Sequence, residues 1–358
     1  MQMISKNKVM IAMSGGVDSS VAAGLCVNAG YSCIGATMKL QAPHGSAAFD
    51  PSCCSARDIA DAQNVADTLG IPYKVYDFSG EFEEKVIQKF VSDYEHGRTP
   101  NPCVECNRYL KFSMLFEQMK LLGYDYVATG HYARVEKEGE RYLLKKAVDS
   151  NKDQSYVLYS LNQAQLSHIL FPLGNYSKAE IRSLAEKYRL PTAKKSESQD
   201  ICFIPDGDYI SFIKRYTKKE YPSGDFVDTN GQVIGKHKGM IGYTIGQRKK
   251  LGISSARPLY VCSKDIINNR IVLGYEENLY RSSLDASAIN LIPFDTIERP
   301  MKVKVKTRYR QNDLPAVVEQ TGPDRLHIEF DSPAKAVCAG QAVVLYDDDV
   351  VIGGGTIL

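Results

Sequence analysis

The chain predicts an α/β N-terminal domain built on a parallel sheet, followed by two small mainly-β domains. Three observations carry this reading. Apolar β-branched runs alternate with amphipathic helical patterns as far as residue 205, the rhythm of parallel strands joined by crossover helices. From about Asp206, short alternating runs broken by Gly, Pro and Asn take over, as in small barrels or sandwiches, with a division near Arg281. Finally, 358 residues exceed one ordinary core. The expected domains are therefore 1–205, 206–280 and 281–358.

The first strand is the apolar run Val9 to Met13, and the heptad S-G-G-V-D-S-S at Ser14 to Ser20 leads from it into the helical Val21, Ala22, Ala23 and Leu25. Such a turn binds phosphate: Gly15 and Gly16 let backbone N–H groups approach, serine hydroxyls donate, and the helix start adds partial positive charge. Asp18 would repel a bare phosphate and makes sense as a contact to Mg2+ shared with phosphate oxygens. The loop has neither a P-loop lysine nor G-x-G-x-x-G spacing, which argues against γ-phosphate transfer and hydride transfer.

Tyr31 to Leu40 alternates as a second strand, and a helix with an apolar stripe at Ile59, Ala62, Ala66 and Leu69 follows Cys53, Cys54 and Ser55. The adjacent Cys53 and Cys54 are read as local structure at that helix start, where Ser55 and Asp58 have capping-box spacing. Tyr73 to Phe78 is a strand and Glu81 to Glu95 a helix. Gly97 to Asn107, with two prolines and no apolar period, reads as a structured loop, so Cys106 is expected at the N-terminus of a helix over Arg108 to Leu122, where a thiolate is favoured. The strand Asp125 to Thr129 delivers Gly130 and His131 to the end of the sheet where ligands bind. Ser177 to Tyr188 is a helix with a Ser177/Glu180 capping box. A polar segment then carries Cys202 beside Asp200.

With 44% hydrophobic and 24% charged residues, the composition is globular. No run approaches the roughly 18 apolar residues of a membrane span, and Met1 to Lys8 holds no signal-peptide core, so no membrane association and a cytoplasmic setting are expected. Nine cysteines there are not a disulfide framework. Cys26, Cys33, Cys262 and Cys338 sit in apolar surroundings and are expected to be buried as small hydrophobes. Residues 1–205 hold 23 basic and 23 acidic side chains, 206–320 hold 19 and 13, and 321–358 hold 2 and 6. The basic middle suggests a polyanionic partner.

The heptad resembles the PP-loop of ATP pyrophosphatases, which implies the adenine nucleotide alpha hydrolase-like fold for the first domain. With C-C-S-A-R-D-I-A-D-A from Cys53, G-R-T-P-N-P-x-x-x-C-N from Gly97, S-E-S-Q-D-I-C-F from Ser196 and G-Y-T-I-G-Q-R-K-K-L-G-I from Gly242, nearly the whole chain resembles the bacterial-type tRNA-specific 2-thiouridylases. That resemblance implies ATP-dependent activation of the C2 oxygen of the wobble uridine of tRNA, then replacement by sulfur from a cysteine persulfide supplied by a cysteine desulfurase or relay protein. It places ATP on Ala12, Met13, Ser14, Gly15, Gly16, Val17, Asp18, Ser19, Met38 and Gly130, the nucleophile at Cys106 and the persulfide at Cys202. It maps the target base to Asn101, Pro102 and Cys103, and tRNA contacts to His131, Lys152, Asp153, Gln154, Arg308, Tyr309 and Gln341.

One departure stands out: many members of that family carry Asp where this chain has Cys103. The change leaves a second mechanism open, in which Cys103, Cys106 and Cys202 hold an iron–sulfur cluster. C-x-x-C is also a zinc or redox motif. A non-catalytic RNA-binding or redox-sensing protein is the alternative from another class, against which the intact PP-loop argues. Lys302, Lys304, Lys306, Arg308 and Arg310 recur at period two, which puts five charges on one strand face suited to phosphate. The basic residues around Gly239 to Gly246 suggest a loop that closes over the anticodon once tRNA docks.

Overall fold

The computed structural model describes residues 7–40, 56–196 and 201–358. Cys53, Cys54, Ser55 and Asp200 lie outside the described residues. The first domain contains β1 (Lys8–Ala12), β2 (Ser32–Lys39), β3 (Tyr73–Asp77), β4 (Tyr126–Ala128), the hairpin β5 (Arg134–Glu138) and β6 (Arg141–Lys145), and β7 (Ile169–Leu170). Five of these strands form a wholly parallel sheet in the order β3-β2-β1-β4-β7. Consecutive β1 residues pack on opposite faces. Val9 and Ile11 join the core under the helices Val17–Asn28 and Ala56–Leu69, and Met10 joins the one holding Phe82, Phe90 and Leu110. Covering both faces is what allows a strand to be apolar on every residue.

The middle unit holds β8 (Gly224–Val227), β9 (Val233–His237), β10 (Tyr260–Asp265) and β11 (Arg270–Gly274), in the order β10-β11-β8-β9. A helix at Tyr209–Thr217, absent from the expected run of short strands, precedes them. Its Phe212 and Ile213 complete the first domain's core, so its apolar period belongs to a partner far away in sequence.

The last unit holds β12 (Tyr280–Leu291), β13 (Met301–Lys306), β14 (Leu314–Gly322), β15 (Arg325–Lys335), β16 (Ala342–Asp347) and β17 (Val350–Ile357). They run β12-β15-β14-β13-β16-β17, and β17 pairs back to β12, closing a barrel. The β5–β6 hairpin, which the sequence reading passed over, extends this sheet through Val350 and Lys145. Tyr156, Tyr159 and Leu144 of the first domain share a core with Ala342, Val344 and Tyr346 of the barrel. Among the described residues, no helix is long and apolar enough to cross a membrane. Cys26, Cys33, Cys262 and Cys338 are all buried.

The expected basic face is cut short. Val303 and Val305 are buried and Lys302 and Lys304 exposed, as period two requires, but the strand ends at Lys306 and Arg308 lies in a turn. Lys304 pairs with Asp348 at 3.0 Å and Lys306 with Asp313 at 3.6 Å. Local acidic partners therefore neutralise part of the stripe meant for phosphate. In the Gly239 to Gly246 segment, Ile241 is 2% exposed in the first domain's core and Tyr243 is buried in the middle one.

Candidate active site

In the order β3-β2-β1-β4-β7, successive connections leave β1 in opposite directions, and a crevice opens at the carboxyl ends of β1 and β4. The Ser14–Ser20 turn follows β1 and Gly130 follows β4. They touch closely: a Cβ on Gly130 would lie 2.7 Å from the Ser19 nitrogen, and one on Gly15, at φ +70°, would lie 2.4 Å from the Asp58 carbonyl oxygen. Only glycine fits either place. The loop holds its own shape, because Ser19 Oγ accepts from the Ser14 N–H at 3.1 Å and Ser20 Oγ donates to the Gly16 carbonyl at 2.8 Å.

A cavity of about 360 Å3 opens from this turn. Ala12, Met13, Ser14, Asp18, Ser19, Met38 and Gly130 line one part of it, and Pro102, Cys103, Cys106 and Cys202 also line it. Expected nucleotide, target-base and sulfur residues thus share one space, although Cys106 and Cys202 lie 96 positions apart, while Gly15, Gly16, Val17 and Asn101 do not line it and Asn101 faces a separate, smaller cavity beside Tyr159 and Gly340. The cysteines in this cavity are thiols, Cys103 and Cys202 exposed and Cys106 buried.

The helix carrying Cys106 begins earlier than the proline count suggested. Residues Pro102–Cys106 are helical, Pro102 occupies the first turn, and the Asn101 side chain accepts the Cys103 N–H at 3.2 Å. Proline is tolerated there because the first-turn N–H groups have no intrahelical partner. Cys106 is consequently the fifth helical residue and not at an N-terminus, so the helix-start argument for its thiolate does not hold. Cys103 has a pKa raised by burial, with Cys202 adding to the rise and the nearby Lys111 opposing it. Although exposed to the cavity, its thiol is crowded by the wall.

Lys111 escaped the sequence reading. Five residues after Cys106, it would lie about 140° round an α-helix, but Asn107–Met114 is π-helical, and the i→i+5 pattern swings it back toward the cavity. Its Nζ lies 3.4 Å from His131 Nε2. An ammonium only donates, so Nε2 accepts and Nδ1–H donates to Thr129 Oγ1 at 2.7 Å. Burial, reinforced by Lys111, lowers the His131 pKa well below its usual 6.5, and the ring is neutral.

Lys178 was also missed. Its Nζ donates to Asp18 Oδ1 at 2.7 Å, and the Tyr132 hydroxyl donates to the same oxygen at 2.8 Å. The signal was a lysine in the first turn of a capped helix, where the macrodipole disfavours cations and a specific anionic partner is therefore implied.

The residues expected at tRNA divide into groups. His131 and Gln154 line the cavity, and Gln154 Oε1 accepts the Tyr132 N–H at 3.0 Å. Asp153 accepts the backbone N–H groups of Ala147 and Ser155 and bonds the Ser155 hydroxyl at 2.8 Å, while neighbouring Lys152 is half-buried. Arg308 donates to the carbonyls of Ile245 at 3.0 Å and Ala336 at 2.8 Å, joining the middle unit to the barrel. Gln341 donates to the carbonyls of Thr99 and Pro100 at 2.8 and 3.1 Å, bracing the loop before the cysteine helix. Tyr309 is exposed, its pKa pushed up to about 12 by burial, with Asp153 and Cys103 contributing. The charge effect places the barrel's tyrosine near the first domain's thiol. Among the described residues, no three His, Cys, Asp or Glu side chains form a group able to hold a metal ion. The three-thiolate cluster finds no support in this arrangement.

Residues 7–206 match a family model described as a tRNA methyl transferase HUP domain, 210–275 a tRNA methyl transferase PRC-barrel domain and 281–357 an aminomethyltransferase beta-barrel domain. The tRNA-specific 2-thiouridylase MnmA 2 of Thermoanaerobacter sp. (strain X514) is 52% identical, with 98% of each chain covered. The tRNA-specific 2-thiouridylase MnmA of Clostridioides difficile (strain 630) is 47% identical, with 99% of each covered. A solved 4-thiouridine synthetase–RNA complex with bound ATP overlaps 59% of this chain and 51% of its own, at 13% identity and a TM-score of 0.39, too distant to add weight. On the strength of the two relatives and the first-domain match, the chain belongs to the tRNA-specific 2-thiouridylase family.

Proposed function

We propose that the protein replaces the C2 oxygen of the tRNA wobble uridine by sulfur, with ATP as activator, Cys202 as persulfide carrier and Cys106 as nucleophile. The observation that carries this is the single cavity lined by the Ser14–Ser19 turn and by both cysteines. A uridine C2 oxygen is a poor leaving group. Adenylation with loss of pyrophosphate converts it to one that departs as AMP, and sulfur then takes its place. The terminal sulfur of a Cys202 persulfide is released by exchange with Cys106, or is accepted by Cys106 before attack; either route ends in a Cys106–Cys202 disulfide.

Asp18 fits as one carboxylate toward Mg2+ carried on the triphosphate, since Tyr132 and Lys178 already orient it toward the turn. When bound, the ion supplies charge neutralisation for the departing pyrophosphate. Lys178, relieved of Asp18, is placed to meet phosphate charge. Neutral His131 and the Lys111 ammonium border the target-base side of the cavity, where they can orient a carbonyl oxygen without contributing a competing carboxylate. A cysteine desulfurase or relay protein in the cytoplasm would load Cys202, which is exposed.

Mass spectrometry of nucleosides from tRNA incubated with protein, ATP, Mg2+ and a persulfide donor tests the reading. Wild type is expected to form 2-thiouridine, and Cys106→Ser and Cys202→Ser to lose at least a hundredfold. Full thiolation by the double serine variant would sink it.

A further inference from the structure

The cavity holds three thiols, and the sulfur-transfer scheme uses two. Cys103 and Cys106 are three residues apart on the helix Pro102–Cys106, which is pinned by the Asn101 cap and by Pro102 in its first turn. At that spacing, side chains share a helix face and the α-carbons are about 5 Å apart, within the roughly 4.4–6.8 Å that a disulfide spans. Both line the cavity, as does Cys202. Access differs: Cys103 and Cys202 are exposed, whereas Cys106 is only 8% exposed. Cys106 is the sheltered member of either disulfide it can form, so what sets a Cys106–Cys202 bond apart is that it leaves Cys202 unable to accept more sulfur.

We propose that Cys103 is a resolving thiol, forming with Cys106 a dithiol–disulfide couple that returns Cys202 to its thiol state after each sulfur transfer. This rests on the sulfur-transfer reading, whose product is the disulfide to be resolved. The Cys103 thiolate attacks Cys106 Sγ; the Cys103–Cys106 bond forms, the Cys106–Cys202 bond breaks, and Cys202 departs as a thiolate that takes up the proton lost by Cys103. No electrons are gained or lost in this exchange. A dithiol reductant entering the cavity then attacks the Cys103 sulfur and closes to its own disulfide, delivering the two electrons that restore both thiols. The C-x-x-C spacing thus keeps the oxidised bond on Cys106 but moves its other end from Cys202 to Cys103, so that Cys202 can be reloaded while the disulfide awaits reduction.

The test uses the full chain, persulfide-loaded by a cysteine desulfurase and given ATP and tRNA for one turnover. It is quenched in acid with an alkylating agent and its disulfides are mapped by peptide mass spectrometry. The expected result is a Cys103–Cys106 disulfide with Cys202 alkylated, and in Cys103→Ser a retained Cys106–Cys202 disulfide with Cys202 alkylation at least tenfold lower. Wild-type protein that has made 2-thiouridine but carries Cys106–Cys202, with Cys103 alkylated, overturns the proposal. Wild-type protein that makes no 2-thiouridine fails the underlying reading instead. Should Cys103→Ser not fold, wild-type protein equilibrated with oxidised and reduced dithiothreitol decides alone: a Cys103–Cys106 disulfide supports the couple. Its absence, or retention of iron and sulfide that shields all three thiols after anaerobic preparation, refutes it.

Discussion

Asp18 is held by two donors from distant parts of the chain, Tyr132 and Lys178. In the absence of a metal-bound nucleotide, the lysine supplies the countercharge that this partly buried carboxylate needs. With nucleotide bound, the same ammonium is expected to face the phosphates. Lys178→Met should therefore weaken Mg-ATP binding, measured by calorimetry, by roughly tenfold to a hundredfold, the usual worth of one charge-assisted hydrogen bond. Unchanged affinity would assign Lys178 to structure alone. The heptad was legible because its chemistry lies in consecutive residues. Lys178 and Lys111 were not, because a lone lysine acquires meaning only from what its ammonium reaches.

The short helix Pro102–Cys106 does more than present thiols. Its Glu105 is 7% exposed, and Glu105 Oε2 finds no hydrogen-bond partner among the described residues. Burial raises its pKa, opposed by Arg108 and Lys89 and reinforced by Asp93. Below the usual carboxylate value, folded and unfolded states are both protonated. As pH rises past 4.5, the unfolded chain ionises first, so this group's contribution to stability is present at acid pH and is lost up to the folded-state value. Glu105→Gln is expected to flatten that part of the stability–pH curve in urea unfolding and to add about 1 kcal/mol at pH 8. Parallel curves for the two proteins would count against it. Elements with a strong local signature, such as the Ser177/Glu180 capping box, lie where the sequence reading put them. The Tyr209–Thr217 helix carries a clear apolar face at Tyr209, Phe212, Ile213 and Tyr216, but that face packs on the first domain's core although it follows the expected boundary at 205, and a reading of the second half as short strands passed over it.

At the scale of the whole molecule, the barrel completes the site without lining much of it. Gln341 clamps the Thr99 and Pro100 carbonyls, the Thr99 N–H donates to the Ala339 carbonyl at 2.9 Å, and Gly340 at φ +87° lets the two backbones meet. The Tyr156 hydroxyl donates to the Ala342 carbonyl at 2.8 Å within the shared core. Gln341→Ala is expected to increase amide hydrogen exchange over residues 97–107 several-fold and to slow thiolation while leaving ATP affinity within twofold. Exchange identical to wild type would return Gln341 to a direct role at tRNA.

Two kinds of information are separable here. Local chemistry was decided by the sequence alone: the Ser14–Ser20 turn after an apolar strand, the C-x-x-C spacing, the capped helix at Ser177 and the short alternating strands of the second half, because each depends on neighbours within a few residues. Only the tertiary structure decided that Cys202 shares a cavity with Cys106, that Lys178 guards Asp18, that Arg308 and Gln341 fasten one unit to another, and that the β5–β6 hairpin extends the last barrel's sheet. Those outcomes turn on which surfaces bury one another. Burial depends on the shape and area of both partners, which no single stretch of chain encodes.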